Sequence, residues 1–212
     1  MAAAVSFKII LVGQSGVGKT ALMRRYVKRY CPEIEVSTIG IDLGTKVIDL
    51  DGVKVELKIW DSAGSEKFKS LTTSYYRNAD GAILVYSLEN ANSLFELQSW
   101  SREVCSHGDM TRILVGNKND LVDERVISED MALNFALLEN IELVIECSAK
   151  RDDNVEYLFR TIAKKMLNKK LEKDNTMLKS NAFKISGSKT TSTLNPRLKA
   201  NTKPLFKRFC VI

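Results

Sequence analysis

All but one of the positions from 7 to 12 are apolar (Phe7, Ile9, Ile10, Leu11, Val12). So short a run without a polar face predicts a strand covered on both sides. After Gly13 the period changes. Leu22, Met23, Tyr26 and Val27 recur at three-to-four spacing, which predicts a helix whose other face, with Arg24, Arg25 and Lys28, meets water. Runs 45–50 and 53–60 flank Asp51-Gly52, a pair that readily takes a primed turn, so these runs form an antiparallel hairpin. Farther on, strands at 81–86, 112–116 and 143–146 alternate with helices. One helix is striped by Leu94, Leu97, Trp100 and Val104, the next spans 128–138, and the last is striped by Val155, Leu158, Phe159, Ile162 and Met166. With right-handed crossovers this alternation builds an α/β fold: a six-stranded, mainly parallel sheet with one antiparallel strand and helices on both faces. Ligands in such sheets bind beyond the carboxyl ends of the strands.

Past Lys170 the apolar period stops, Ser, Thr, Asn and Lys dominate, and Pro196 and Pro204 interrupt. A chain of 212 residues with 44% hydrophobic content supports one core. The expected organisation is therefore one domain over 1–170 and a flexible basic tail over 171–212, unable to offset its own ordering entropy. Charge follows the same boundary. The net +6 is carried by the tail, with nine basic and two acidic residues from 171 onward, whereas 1–170 holds 23 basic and 24 acidic. A nearly neutral domain argues against a nucleic-acid-reading surface on it. Cys31, Cys105, Cys147 and Cys210 lack metal-ligand spacing and there is a single histidine, so no zinc site is expected and a reducing, cytosolic setting follows. Residues 1–7 do not read as a secretory signal, and no apolar run approaches the ~20 residues needed to cross a bilayer. Membrane association, if any, is peripheral or lipid-mediated.

The chemistry sits where the strands run out. Gly13-Gln14-Ser15-Gly16-Val17-Gly18-Lys19-Thr20 matches the G-x-x-x-x-G-K-[ST] phosphate loop, between a predicted strand and a predicted helix, which is the context that confirms it. Its glycines let backbone N–H groups wrap close to phosphate at a helix N-terminus. Lys19 reaches the outer phosphates and the Thr20 hydroxyl ligates Mg²⁺. This fixes a nucleoside triphosphate and leaves the base open. Asn117-Lys118-Asn119-Asp120 follows the 112–116 strand, and the two acceptor oxygens of Asp120 match the adjacent N1–H and 2-amino donors of guanine. Ser148-Ala149-Lys150 follows the last strand and offers a backbone N–H to the guanine carbonyl, with the Lys150 stem over the ring. Asp61, at the end of the 53–60 strand, is placed to hold Mg²⁺ through water, and the Gly64 N–H to meet a γ-phosphate. Thr38 offers its hydroxyl and carbonyl to metal and γ-phosphate. Loss of that phosphate would release both segments.

With these residues in view, 6–170 resembles the Ras superfamily of small GTPases, a P-loop NTPase fold, and within it the Rab branch. The branch likeness lies in Ile39-Gly40-Ile41-Asp42-Leu43, Leu57-Lys58-Ile59-Trp60, Lys67-Phe68-Lys69-Ser70-Leu71-Thr72 and Tyr75-Tyr76-Arg77-Asn78-Ala79. The resemblance implies a monomeric GTP/GDP switch in vesicle traffic on the cytosolic face of intracellular membranes. It also implies an exchange factor, a GTPase-activating protein, effectors and an escort or GDI-type protein as partners. Lys19, Thr38, Gly64 and position 65 would serve hydrolysis.

Three residues depart from the family pattern. Ser65 stands where the family has the glutamine that orients the attacking water, and it is too short to bridge that distance, so unaided hydrolysis is expected to be slow. Cys31 stands where an aromatic packs edge-on to the base, which predicts weaker base packing. Leu43 replaces a phenylalanine of an effector-facing cluster with Trp60 and Tyr75, both expected to be partly exposed. At the tail, Phe209-Cys210-Val211-Ile212 puts cysteine third from the end, so a C-a-a-X box fails and single prenylation of Cys210 rests on the family's varied endings. Lys199, Lys203, Lys207 and Arg208 would add attraction to an anionic leaflet. His107 reads as a surface residue, and Ser62 and Ser65 have no histidine partner for hydrolase chemistry. Three rival readings remain: a nucleotide-loaded scaffold that scarcely hydrolyses, a GTPase of another branch, and a nucleic-acid protein that binds through its basic tail.

Overall fold

The structure is a computed structural model and describes residues 5–31, 38, 40–63 and 72–186. In chain order it has β1 (Val5–Val12), α1 (Lys19–Lys28), β2 (Ile41–Leu50), β3 (Val53–Ser62), α2 (Thr72–Tyr76) and β4 (Gly81–Ser87). Then come α3 (Ala91–Ser106), β5 (Thr111–Asn117), α4 (Glu129–Leu138), β6 (Val144–Glu146) and α5 (Val155–Ser186). The strands form one six-stranded sheet in the order β2-β3-β1-β4-β5-β6. Every neighbouring pair is parallel except β2 with β3.

β1 lacks a polar face because both of its faces are covered. Ile9 and Leu11 join a cluster with Leu22 and Tyr26 of α1 and Leu158 and Phe159 of α5. Ile10 and Val12 join the opposite cluster with Leu94, Leu97 and Trp100 of α3 and Ala132 and Ala136 of α4. Successive strand side chains point to opposite faces, so one strand feeds both halves of the core. Each such fully buried Leu, Ile or Phe contributes roughly 1.5–3 kcal/mol. Tyr26 and Phe159 stack at 4.2 Å between ring centroids, locking α1 to α5.

The hairpin turn is as expected, with φ of 54° at Asp51 and 87° at Gly52, the two left-handed positions of a primed turn. β2 starts four residues earlier than the pattern indicates. Gly44 looks like punctuation in the sequence, yet it stays within the strand, paired with Ile59. A side chain there would come within 3.0 Å of Met23 and Val27, so glycine is what lets α1 lie close to the sheet. The other end of the chain also differs. Expected to give way to loose chain after Lys170, α5 continues through Ser186, with residues 171–177 exposed. Leu171, Glu172, Lys173 and Met177 are strong helix formers, so a helix already nucleated by packing propagates through 171–177 although those residues are exposed. Among the described residues no helix is long and apolar enough to cross a membrane. Cys210 and the basic cluster before it lie outside the described residues.

Candidate functional site

The parallel register carries the carboxyl ends of β1, β3, β4, β5 and β6 to one edge of the sheet. Leu11 lies beside Asp61, Ser87 beside Asn117, and Gly116 beside Glu146. The loop from Gly13 to Gly18 leaves β1 at that edge. A Cβ on Gly13 would overlap the Val85 carbonyl, and one on Gly18 would overlap the Asn117 side-chain amide, so neither position accepts a side chain. Gly18 caps α1 with no side-chain hydrogen bond to the first turn, and that turn holds no acidic residue. The helix thus begins at the loop with no competing carboxylate in its first turn, the arrangement that suits an anion. Ser15 and Gly16 are exposed at the rim while Val17 is buried beneath. Lys19 is only 5% exposed, and its ammonium donates to the carbonyls of Gly13 (2.8 Å) and Gln14 (2.9 Å), bracing the loop whose phosphates it would meet.

Three oxygens proposed for the metal converge. Thr20 Oγ1 lies 2.6 Å from Thr38 Oγ1 and donates to Asp61 Oδ2 at 2.5 Å. Asp61 is fully buried, and its other oxygen, Oδ1, has no hydrogen-bond partner among the described residues. Burial pushes its carboxyl up from the ordinary value, against the Thr20 hydrogen bond and the Lys19 charge. A buried carboxylate with one lone oxygen is costly unless a cation answers it. Two hydroxyls and one carboxylate form an oxygen-only set. That set fits Mg²⁺, which takes few protein ligands and completes its shell with phosphate and water.

The base-side loops are tied to the phosphate loop through Asn117. Only 1% exposed, it donates from Nδ2 to the Val17 carbonyl (2.9 Å) and accepts at Oδ1 from the Ala149 N–H (3.2 Å). Asp120 Oδ1 accepts from the Ser148 hydroxyl at 2.6 Å, and Ser148 Oγ in turn accepts the Arg151 N–H at 2.9 Å. The Asn119 N–H donates to the buried Cys147 carbonyl (3.0 Å), joining the two loops again. Lys118 adopts φ 68° and its ammonium pairs with Glu89 at 2.5 Å. Lys150 is exposed at the end of this wall. Gly64 and Ser65 lie outside the described residues.

Some participants escaped the sequence pattern. Arg25, expected in water, donates to two carbonyls of the loop after β6. Glu89 is an ordinary loop acid by sequence and carries its signal only in its partner, Lys118. Tyr75 corrects an expectation outright: it is 1% exposed rather than partly exposed. Its hydroxyl bonds the Leu11 carbonyl (2.8 Å) and the Trp60 carbonyl (2.7 Å), and burial pushes its pKa well up. A buried hydroxyl needs such partners, and the ends of β1 and β3 supply them. Trp60 is half-buried and meets Tyr75 edge-on at 6.5 Å, while Leu43 is 51% exposed. Cys31 packs against the α1–α5 side of the core, and neighbouring Tyr30 is exposed. His107 is half-buried and stacks on Tyr76 at 4.7 Å, which secures the end of α3 to α2.

A Ras family model matches residues 8–168. Ras-related protein Rab-8B of Homo sapiens is 38% identical over 192 residues, covering 88% of this chain and 92% of that protein. Ras-related protein Rab-1D of Dictyostelium discoideum is 41% identical over 165 residues, covering 77% and 80%. GTP-binding protein ypt1 of Schizosaccharomyces pombe is 40% identical over 178 residues, covering 83% and 86%.

Proposed function

Because the chain belongs to the Ras family and is a Rab-like small GTPase, we propose that it is a GTP/GDP switch of vesicle traffic that hydrolyses GTP slowly when unaided. The observation that carries the nucleotide assignment is Asn117, whose one side chain bonds both the phosphate loop at Val17 and the base-side loop at Ala149. That bridge supports reading Asp120 and the loop from Gly13 to Thr20 as parts of one pocket. Amides of Gly13, Ser15, Gly16, Val17 and Gly18 surround the phosphates, and Lys19 places its charge against the outer ones. Thr20, Thr38 and Asp61 would hold Mg²⁺, which neutralises charge on the phosphates. The Asp120 carboxylate selects guanine over adenine, with Asn117, Lys118, Ser148, Ala149 and Lys150 completing the base wall.

Hydrolysis of this kind is in-line attack by water, with no covalent intermediate on the protein, so catalysis is positioning plus electrostatics. Lys19, Thr38 and the Gly64 amide would stabilise charge at the transferring phosphoryl. Ser65 is too short to orient the water, which is why unaided turnover is assigned as slow and why a GTPase-activating protein would be needed to supply the missing group. The scaffold reading, in which exchange alone governs the state, rests on the same Ser65. Effectors would read the segments around Thr38 and Gly64. The basic tail, with a lipid on Cys210, would hold the protein at the cytosolic face of intracellular membranes.

Calorimetry of the nucleotide-stripped full chain with Mg²⁺ tests the assignment. GDP is expected to bind at least about 1,000-fold more tightly than ADP, since a wrong base leaves buried polar groups unpaired. Equal affinities would overturn it.

A further inference from the structure

Helical periodicity places Arg25 among the solvent positions of α1, yet its guanidinium crosses to the loop after β6. Nε donates to the Ala149 carbonyl at 2.7 Å and Nη2 to the Lys150 carbonyl at 2.9 Å. A planar fork of fixed donors can hold two successive carbonyls at once, which the single-point ammonium of lysine does less well. Ala149 is thereby held at both backbone groups, its N–H by Asn117 (3.2 Å) and its carbonyl by Arg25. The residue just before is Ser148, whose hydroxyl donates to the Asp120 carboxylate at 2.6 Å. One turn farther along α1, Arg29 pairs with Glu156 (2.9 Å) and Asp152 (3.7 Å), but these groups are 36–59% exposed and such pairs contribute little. The bonds to the carbonyls are the part of this contact that grips the Ala149–Lys150 backbone.

We propose that Arg25 is a positioning residue of the guanine pocket. It clamps the Ala149–Lys150 backbone to α1, keeps Ser148 and Asp120 aligned with the base, and so limits the rate of nucleotide release. This rests on the guanine-nucleotide reading above and adds to it a residue that touches no nucleotide itself. Because α1 also presents its first turn to the phosphates, the clamp makes the phosphate side and the base side move as one body.

The test is release of fluorescent GDP, GTP and IDP from Mg²⁺-loaded full-length wild type, Arg25→Ala, Arg25→Lys and Arg29→Gln, each checked by thermal melting. Losing two charge-assisted hydrogen bonds predicts GDP and GTP release about ten-fold faster in Arg25→Ala, by the same factor for both because the phosphates are not involved. Arg25→Lys should fall between, and Arg29→Gln should stay within about two-fold of wild type. The preference for GDP over IDP, which lacks the 2-amino donor that Asp120 reads, should narrow in Arg25→Ala, an effect a merely structural role would not produce. Should Arg25→Ala fail to fold, Arg25→Lys carries the same comparisons. Wild type that holds GDP while the Arg25 variants release it within two-fold of normal, or release it faster with an unchanged GDP-over-IDP preference, overturns the clamp alone. Wild type that holds no guanine nucleotide overturns the switch reading together with it.

Discussion

At the carboxyl end of β3, Asp61 is fully buried with one oxygen unpartnered among the described residues, whereas at the opposite end of the sheet Asp109 and Glu142 are largely exposed and each is answered by a lysine. That second region is a groove of about 560 Å³ lined by Asp109, Arg112, Asn140, Glu142, Lys165 and Lys169, among others. Lys169 meets Asp109 at 2.8 Å and Lys165 meets Glu142 at 2.8 Å. Arg112 is spent on the Asn140 carbonyl and on Ser101 and Cys105. The carboxyl shifts run in opposite directions for a physical reason. Burial raises Asp61, while lysine hydrogen bonds hold Asp109 and Glu142 below their ordinary values. A hollow whose charges already cancel has little left to offer a ligand. A carboxylate kept dry and half-satisfied has affinity in reserve, so compensation marks the site better than volume does.

The contrast can be sharpened first at the site end. Ser65→Gln should raise single-turnover GTP hydrolysis by about 100-fold, since misplacing the attacking water costs on that order; a rate unchanged from wild type would remove Ser65 as the cause of slow turnover. Next in size is Asp61→Asn, which keeps the shape and removes the charge that a cation would answer. GDP release should become about ten-fold faster in Mg²⁺ and should no longer respond to EDTA. An EDTA response as large as that of wild type would break the comparison. The groove should answer least. Glu142→Gln should leave GDP release within two-fold and cost about 0.5 kcal/mol or less, because its side chain is 82% exposed. A carboxyl held below its ordinary pKa stabilises the fold above that value and loses the contribution as pH falls through the lowered one. Melting temperature should therefore slope downward on acidification below about pH 4.5, slightly less steeply in Asp109→Asn/Glu142→Gln.

Much of the architecture is legible along the chain because its signals are local. The short, mostly apolar run of β1, the Asp51-Gly52 turn and the stripe of α5 each depend on residues a few positions apart. The phosphate loop and the Asn117–Asp120 stretch are legible for the same reason. α2, with only five residues, is too short to leave a period. The start of β2 is less legible because Gly44 serves a close approach by α1, which no neighbouring residue announces. Tyr75 misleads because the resemblance speaks of a cluster and not of the backbone groups its hydroxyl finds.

By itself the amino-acid sequence determines the kind of ligand and the order of the elements, since donor and acceptor types are properties of single residues and periodicity is a property of neighbours. Only the tertiary structure decides which side chains tie the loops to one another. Asn117 reaches Val17 across 100 positions, and Arg25 reaches Ala149 across 124. Contacts of that span are made by sheet register and helix packing, and no local pattern encodes them. The unanswered oxygen of Asp61 belongs to the same class, because burial is something the rest of the chain does to a residue.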